Sequence, residues 1–73
     1  LSVDAEGNFY IGDQIRSLEE VKAAISSSIR ANPDLRVQVR ADQNTEYEAV
    51  RKLLKTAAEA GAYEIIYATY ESR

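Results

Sequence analysis

The side chains best placed to do chemistry fall in one short stretch, Arg40-Ala41-Asp42 followed by Tyr47. Two readings of it stand side by side. In one, Asp42 helps to end a strand and Tyr47 packs as the first apolar residue of a helix stripe, so the residues only build the fold. In the other, Arg40, Asp42 and the Tyr47 hydroxyl make a polar corner at the C-terminal edge of a parallel strand. Ligands and partners of α/β units bind at such edges. Elsewhere reactive groups are sparse. The chain has no His, Cys or Trp, which removes the usual general base near neutral pH, the thiol nucleophile and the best metal ligands. Ser26-Ser27-Ser28 has no base near it in sequence and reads as helix surface. The glycines are too far apart to cradle a phosphate. Asp4, Glu6 and Asp13 lack the ligand spacing of a calcium loop and read as solvated turn residues. The expectation is a non-enzymatic domain with no catalytic, cofactor or metal site.

The elements that must position these groups follow from periodicity. Leu1 to Ile11 reads as a hairpin: Leu1 and Val3 alternate with Ser2 and Asp4, and Phe9 and Ile11 resume the pattern after a turn at Ala5-Glu6-Gly7-Asn8. Gly7 supplies the positive φ that such a turn uses. Gly12-Asp13 marks a second turn, and Gln14 to Arg16 is too short to assign. Ser17-Leu18-Glu19-Glu20 fits a capping box. Leu18, Val21, Ile25 and Ile29 follow at helical spacing, with Ala24 alongside, and Asn32-Pro33 ends the helix. Glu19, Lys22, Ser26 and Arg30 form its solvated face.

Leu35, Val37 and Val39 alternate with Arg36, Gln38 and Arg40, which predicts a half-buried strand. Thr45-Glu46-Tyr47-Glu48 reads as a second capping box. The helix after it carries Tyr47, Val50, Leu54, Ala57 and Ala58 on one stripe with Leu53 beside them, and Glu48 can pair with Lys52. Gly61 is the expected left-handed residue beyond its end. Tyr63 to Tyr70 is the last strand, with Ile65 and Tyr67 on the side opposite Ile66 and Ala68. Apolar groups on both faces suit either a central strand or a strand that meets a partner chain. Glu71-Ser72-Arg73 reads as a frayed end.

The order is therefore β-β-α-β-α-β, an α+β fold with two helices packed on one face of a small mixed, four-stranded sheet. Arg36, Gln38 and Arg40 lie on its open face. The 73 residues make one domain, 1–73, near the lower size limit for a self-sufficient core. Such a chain buries only about 60% of its unfolded surface, for a net stability of roughly 5 kcal/mol. Nothing in it is apolar for the roughly 18 residues that a membrane span needs. It starts at Leu1 and contains no Met, so it is expected to be an excised piece of a longer protein. A net charge of −3 argues against bulk nucleic-acid binding, which depends on phosphate neutralisation.

Val37-Gln38-Val39-Arg40-Ala41-Asp42, then Tyr47, Val50 and Leu54, then Ala60-Gly61 and an apolar strand, together resemble the ExbD/TolR family. Asp4-Ala5-Glu6-Gly7-Asn8-Phe9-Tyr10-Ile11-Gly12 is similar to that family's hairpin, and Ser17-Leu18-Glu19-Glu20-Val21 to its first helix start. The resemblance covers nearly the whole chain. It implies the periplasmic domain of a single-pass inner-membrane protein whose transmembrane helix lies upstream and outside this sequence. It further implies a homodimer, an ExbB/TolQ-like membrane subunit reached through that helix, and transmission of proton motive force to a TonB/TolA-like protein. Contact with peptidoglycan is a TolR-type property. The family's proton-carrying aspartate sits in the transmembrane helix and is absent here. The last strand is richer in aromatics than the family pattern.

Arg40, Asp42, Tyr47, Ile65, Tyr67 and Tyr70 are the candidate partner-binding residues on this view, with no cofactor. A cytosolic ligand-binding or regulatory α+β module is the alternative, although ferredoxin-like modules start β-α-β and not with a hairpin. An RNA-binding module would need Phe9 or Tyr70 on the open face beside basic residues, and the acidic balance argues against it.

Overall fold

A turn at Asp4–Asn8, closed by the Gly7 N–H donating to the Asp4 carbonyl at 3.0 Å, folds β1 (Ser2–Val3) back on β2 (Phe9–Ile11). Gly7 takes the expected positive φ of 84°. Gly12, at φ 63°, then turns the chain into β3 (Gln14–Arg16). The computed structural model describes residues 1–71. The remaining elements are α1 (Leu18–Ala31), β4 (Val37–Asp42), α2 (Tyr47–Glu59) and β5 (Ile65–Tyr70).

The α+β plan holds, but the mixed sheet has five strands in the order β3-β2-β1-β4-β5. The fifth is Gln14–Arg16, too short to show a period. Pairing makes it a strand, through Phe9↔Arg16, Tyr10↔Ile15 and Ile11↔Gln14. β4 runs parallel to both β1 and β5, as the two helical crossovers require.

Both helices pack on one face. Val21 and Ile25 of α1 and Val50, Leu53 and Ala57 of α2 meet Val3, Val37, Val39 and Ala41 of the sheet. Leu53, Val3, Val21 and Val39 are the largest fully buried side chains. Alternation along β4 leaves Arg36, Gln38 and Arg40 exposed on the other side.

Ser17 caps α1 as expected. Its Oγ accepts from the Glu20 N–H at 3.1 Å, and Glu20 Oε1 accepts from the Ser17 N–H at 2.9 Å. The second capping box does not form. Glu46 is the N-cap of α2 and makes no side-chain cap bond. Thr45 Oγ1 instead donates to the Asp4 carbonyl at 2.9 Å, tying the start of α2 to the β1–β2 turn. Glu48 pairs with Arg51 at 3.7 Å, not with Lys52. Tyr47 and Ala58 are exposed, and buried Thr56 takes a place in the stripe. Ser26, expected on the solvated face, is half-buried and donates to the Ala60 carbonyl at 3.3 Å. Gly61 has φ 106°, and the Ala62 N–H closes the helix end on the Ala57 carbonyl at 3.1 Å.

Of the two readings of the last strand, the central one does not hold: β5 is an edge strand. It starts at Ile65, not at Tyr63. Of the expected frayed end, Glu71-Ser72-Arg73, Glu71 is exposed beyond the end of β5, and Ser72 and Arg73 lie outside the described residues.

Candidate functional site: the β5 edge and the open sheet face

Register determines what β5 displays. It pairs with β4 from Val37↔Ile65 to Asp42↔Tyr70. The Val37 N–H donates to the Glu64 carbonyl at 3.0 Å and the Gln43 N–H to the Tyr70 carbonyl at 2.8 Å. Even-numbered residues of β5 therefore turn their main-chain groups toward β4. Ile65, Tyr67 and Thr69 turn theirs outward, presenting unpaired N–H and C=O groups along the free edge.

The side chains follow the same alternation. Ile65, Tyr67 and Thr69 share the helix side with Val37, Val39 and Ala41, but the helices cover β1 and β4 and stop short of β5. Ile65 still packs against the core. Tyr67 is 47% exposed and Thr69 is exposed. On the open face Ile66 is 40% exposed, and Ala68 is exposed beside it. β5 thus offers both faces and one edge to its surroundings.

Native edges are usually blunted by charge, proline or shortness. β5 has six residues, Ile65-Ile66-Tyr67-Ala68-Thr69-Tyr70, with neither charge nor proline. The opposite edge is guarded. β3 has three residues, follows Asp13, and ends in Arg16, which pairs with Glu20 at 3.5 Å and is held by the Gln14 side chain.

Tyr70 and Arg40 come together on the open face. The Arg40 guanidinium lies 5.3 Å from the Tyr70 ring centroid, a cation–π contact worth about 0.5–1 kcal/mol at an exposed site. The Tyr70 hydroxyl reaches across β4 and donates to the Val3 carbonyl at 3.4 Å. Nearby, the Tyr10 hydroxyl donates to Asp4 Oδ2 at 2.8 Å. Asp4 Oδ1 accepts from the main-chain N–H groups of Asn8 at 2.8 Å and Glu6 at 3.1 Å.

Desolvation pushes the Asp4 carboxyl up, but the bonds from the Asn8 N–H, the Tyr10 hydroxyl, the Asn8 amide and the Glu6 N–H together hold it below its ordinary value. The Tyr10 phenol is raised, first by its bond to Asp4 and then by burial. Asp4 was expected to be only a solvated turn residue, yet it organises the turn. An Asp ahead of Gly-Asn is the local signal for that role.

The three residues of the supposed polar corner are not joined by any hydrogen bond or ion pair among the described residues. Asp42 is 3% exposed. Its Oδ1 accepts from the Asn44 N–H at 2.8 Å and its carbonyl from the Thr45 N–H at 2.9 Å, so it shapes the loop after β4. Tyr47 is 73% exposed at the start of α2 and packs in no stripe. Of the candidates, Ile65, Tyr67 and Tyr70 lie on one strand, and Arg40 joins them through Tyr70. Ile66 and Tyr63 belong with the exposed set and were not singled out. Sequence pairs Ile66 with Ile65 as alternating core, but Ile66 lies on the open face beside exposed Gln38.

Among the described residues no group of His, Cys, Asp or Glu could hold a metal ion. No helix among them is long and apolar enough to cross a membrane.

The chain has relatives among known proteins. The family described as "Biopolymer transport protein ExbD/TolR" matches residues 1–72. "Biopolymer transport protein ExbD" of Neisseria gonorrhoeae is 32% identical over 72 residues, covering 94% of this chain and 50% of that protein. The protein of the same description from Neisseria meningitidis serogroup A has the same identity and coverage. The chain thus spans about half the length of the curated relatives it matches.

Proposed function

Because this chain belongs to the ExbD/TolR family, we propose that it is the non-enzymatic periplasmic domain of an inner-membrane energy-transduction complex. In that complex, of ExbB–ExbD–TonB or TolQ–TolR–TolA type, proton motive force acts on a membrane segment outside this sequence. An ExbB/TolQ-like subunit engages that segment, and this domain engages a TonB/TolA-like protein, peptidoglycan or a second copy of itself. Its own residues carry no proton step.

The observation that supports a docking role is the unguarded β5 edge. An extended peptide can add to such an edge by main-chain pairing, with neighbouring side chains giving specificity. Ile65, Tyr67 and Thr69 offer one N–H and one C=O each. At about 0.5–1.5 kcal/mol net per bond, full pairing of the edge contributes roughly 3–9 kcal/mol. Association itself costs about 4–15 kcal/mol. Main-chain pairing alone therefore gives weak, reversible binding, and Tyr67, Ile66 and Tyr63 must bury area to make it useful. Weak binding suits a domain that has to engage and release its partner.

The test is self-association and ligand titration followed by NMR. Expected are concentration-dependent dimerisation, or shifts centred on β5 with an extended TonB/TolA-like peptide or with peptidoglycan fragments. A domain that stays monomeric at about 1 mM, in the range of the weakest affinities considered, and shifts with neither peptide nor glycan would overturn the proposal.

A further inference from the structure

The open face carries two arginines on β4, and only one of them is matched. Arg36 pairs with Glu64 at 3.4 Å. Arg40 makes no ion pair among the described residues. What holds it is the Tyr70 ring, whose centroid lies 5.3 Å from the guanidinium. That ring is itself fixed, because its hydroxyl donates to the Val3 carbonyl at 3.4 Å. The result is an exposed guanidinium that is positioned but has no carboxylate. Its planar fork suits a carboxylate better than any other side-chain group.

The register says where that carboxylate can come from. Arg40 lies opposite Ala68, and Gln38 opposite Ile66. Ala68 is the smallest side chain on β5, and it stands between Arg40 and the free edge. A shallow groove of about 320 Å³ lies here, lined by Gln38, Val39, Arg40, Ile66 and Ala68. A strand added to β5 would place one residue directly opposite Ala68, with its side chain on this same face. That residue and Arg40 stand two strand spacings apart, about 9–10 Å. An arginine and a glutamate extended toward each other close such a span, and the methyl group of Ala68 leaves the way clear.

We propose that the strand docked on β5 belongs to another protein and carries a glutamate opposite Ala68, which Arg40 reads. The inference rests on β5 being the docking edge and adds the chemistry of what docks there. Charge complementarity selects the occupant. A second copy of β5 brings no carboxylate, because Ile65–Tyr70 is uncharged. Glu64, which flanks β5 on this face, is already held by Arg36. The residues two positions either side of the glutamate lie over the same face, and the one that meets exposed Ile66 is best apolar. Main-chain pairing supplies attraction for any extended segment, and the Arg40–glutamate pair supplies register and choice of partner.

Short blocked peptides of alternating Val and Thr, with Glu or Gln in place of one central Val, test this by NMR titration. The Glu peptide is expected to bind about fivefold tighter than the Gln peptide, the upper range for an exposed ion pair. The advantage shrinks as salt is raised, and the Arg40 Nε–H signal shifts with the Glu peptide alone. Arg40→Gln abolishes the difference. So does Ala68→Val, which fills the gap but keeps the charge. Both positions are exposed, so both variants keep the fold. Equal binding of the two peptides, with the β5 amides shifted by each, overturns this inference and leaves the docking edge standing. β5 amides that respond to neither peptide overturn the docking edge and this inference with it. A Glu advantage that survives Arg40→Gln overturns the role of Arg40. Self-association weakened alike by Arg40→Gln and Glu64→Gln overturns the separate partner, because a second copy then supplies the carboxylate.

Discussion

Proline placed at adjacent positions of β5 separates an edge strand from a central one. Thr69 directs its N–H outward and its side chain is exposed. Thr69→Pro therefore removes a donor that the isolated domain does not use. The ring tightens φ on an edge strand, where proline is tolerated, at a cost on the order of 1 kcal/mol. Ala68 directs its N–H inward, to the Val39 carbonyl by the register. Ala68→Pro breaks that bond and drives the ring against β4, at a cost of about 3 kcal/mol or more. A chain of 73 residues has only about 4–11 kcal/mol in all, so Ala68→Pro consumes much of the stability and Thr69→Pro little.

Binding responds in the opposite sense. The lost Thr69 bond removes about 1 kcal/mol, and the partner carbonyl left without a donor adds about 1–3 kcal/mol. Together these weaken dimer or peptide binding by roughly 30- to 700-fold. Thermal melts report the first effect, and sedimentation equilibrium or peptide titration the second. If Thr69→Pro unfolds the domain as Ala68→Pro does, or folds and binds unchanged, the assignment of β5 as the docking edge is wrong.

Other perturbations test the parts that hold the edge in place. Leu53, fully buried between α2 and the sheet, should lose about 2–5 kcal/mol on Leu53→Ala, read from urea midpoints. Ser17→Ala removes the cap of α1 and should cost about 1 kcal/mol without altering binding at β5. The Asp4 carboxylate is favoured by the fold, so its contribution is present above its unfolded value of about 4 and fades as pH falls through the lower folded one. Urea unfolding of wild type and Asp4→Asn at pH 7 and pH 3 should show their stabilities converging in acid.

Much of this fold is legible in the sequence because its signals are local. The Ser17 capping box, the Val21–Ile25 spacing, the alternation of Val37 and Val39 and the positive φ of Gly7 and Gly61 all depend on residues within a few positions. What escaped depends on distant partners. Thr45 has the sequence of an N-cap, but its hydroxyl is claimed by the Asp4 carbonyl, 41 residues away. Gln14–Arg16 is a strand only because β2 lies beside it.

The same limit governs the site. Tyr67 and Ile66 read as a strand covered on both faces, and hydrophobicity cannot tell a strand in the middle of a sheet from an unguarded edge. Strand order decides, and strand order is a global property. Arg40-Ala41-Asp42 with Tyr47 carries the resemblance to the family, yet its members part company in space. Asp42 shapes a loop, Tyr47 faces outward, and Arg40 joins Tyr70, a residue too distant in sequence to suggest the pairing.

The most direct measurement is hydrogen exchange of the β5 amides in the free and associated states. On association, Ile65, Tyr67 and Thr69 should gain about 10-fold or more in protection as their outward N–H groups find carbonyl partners, while Ile66, Ala68 and the β3 edge stay as they were. Association that leaves those three amides exchanging at their free rates, or that protects β3 instead, would contradict a docking role for β5.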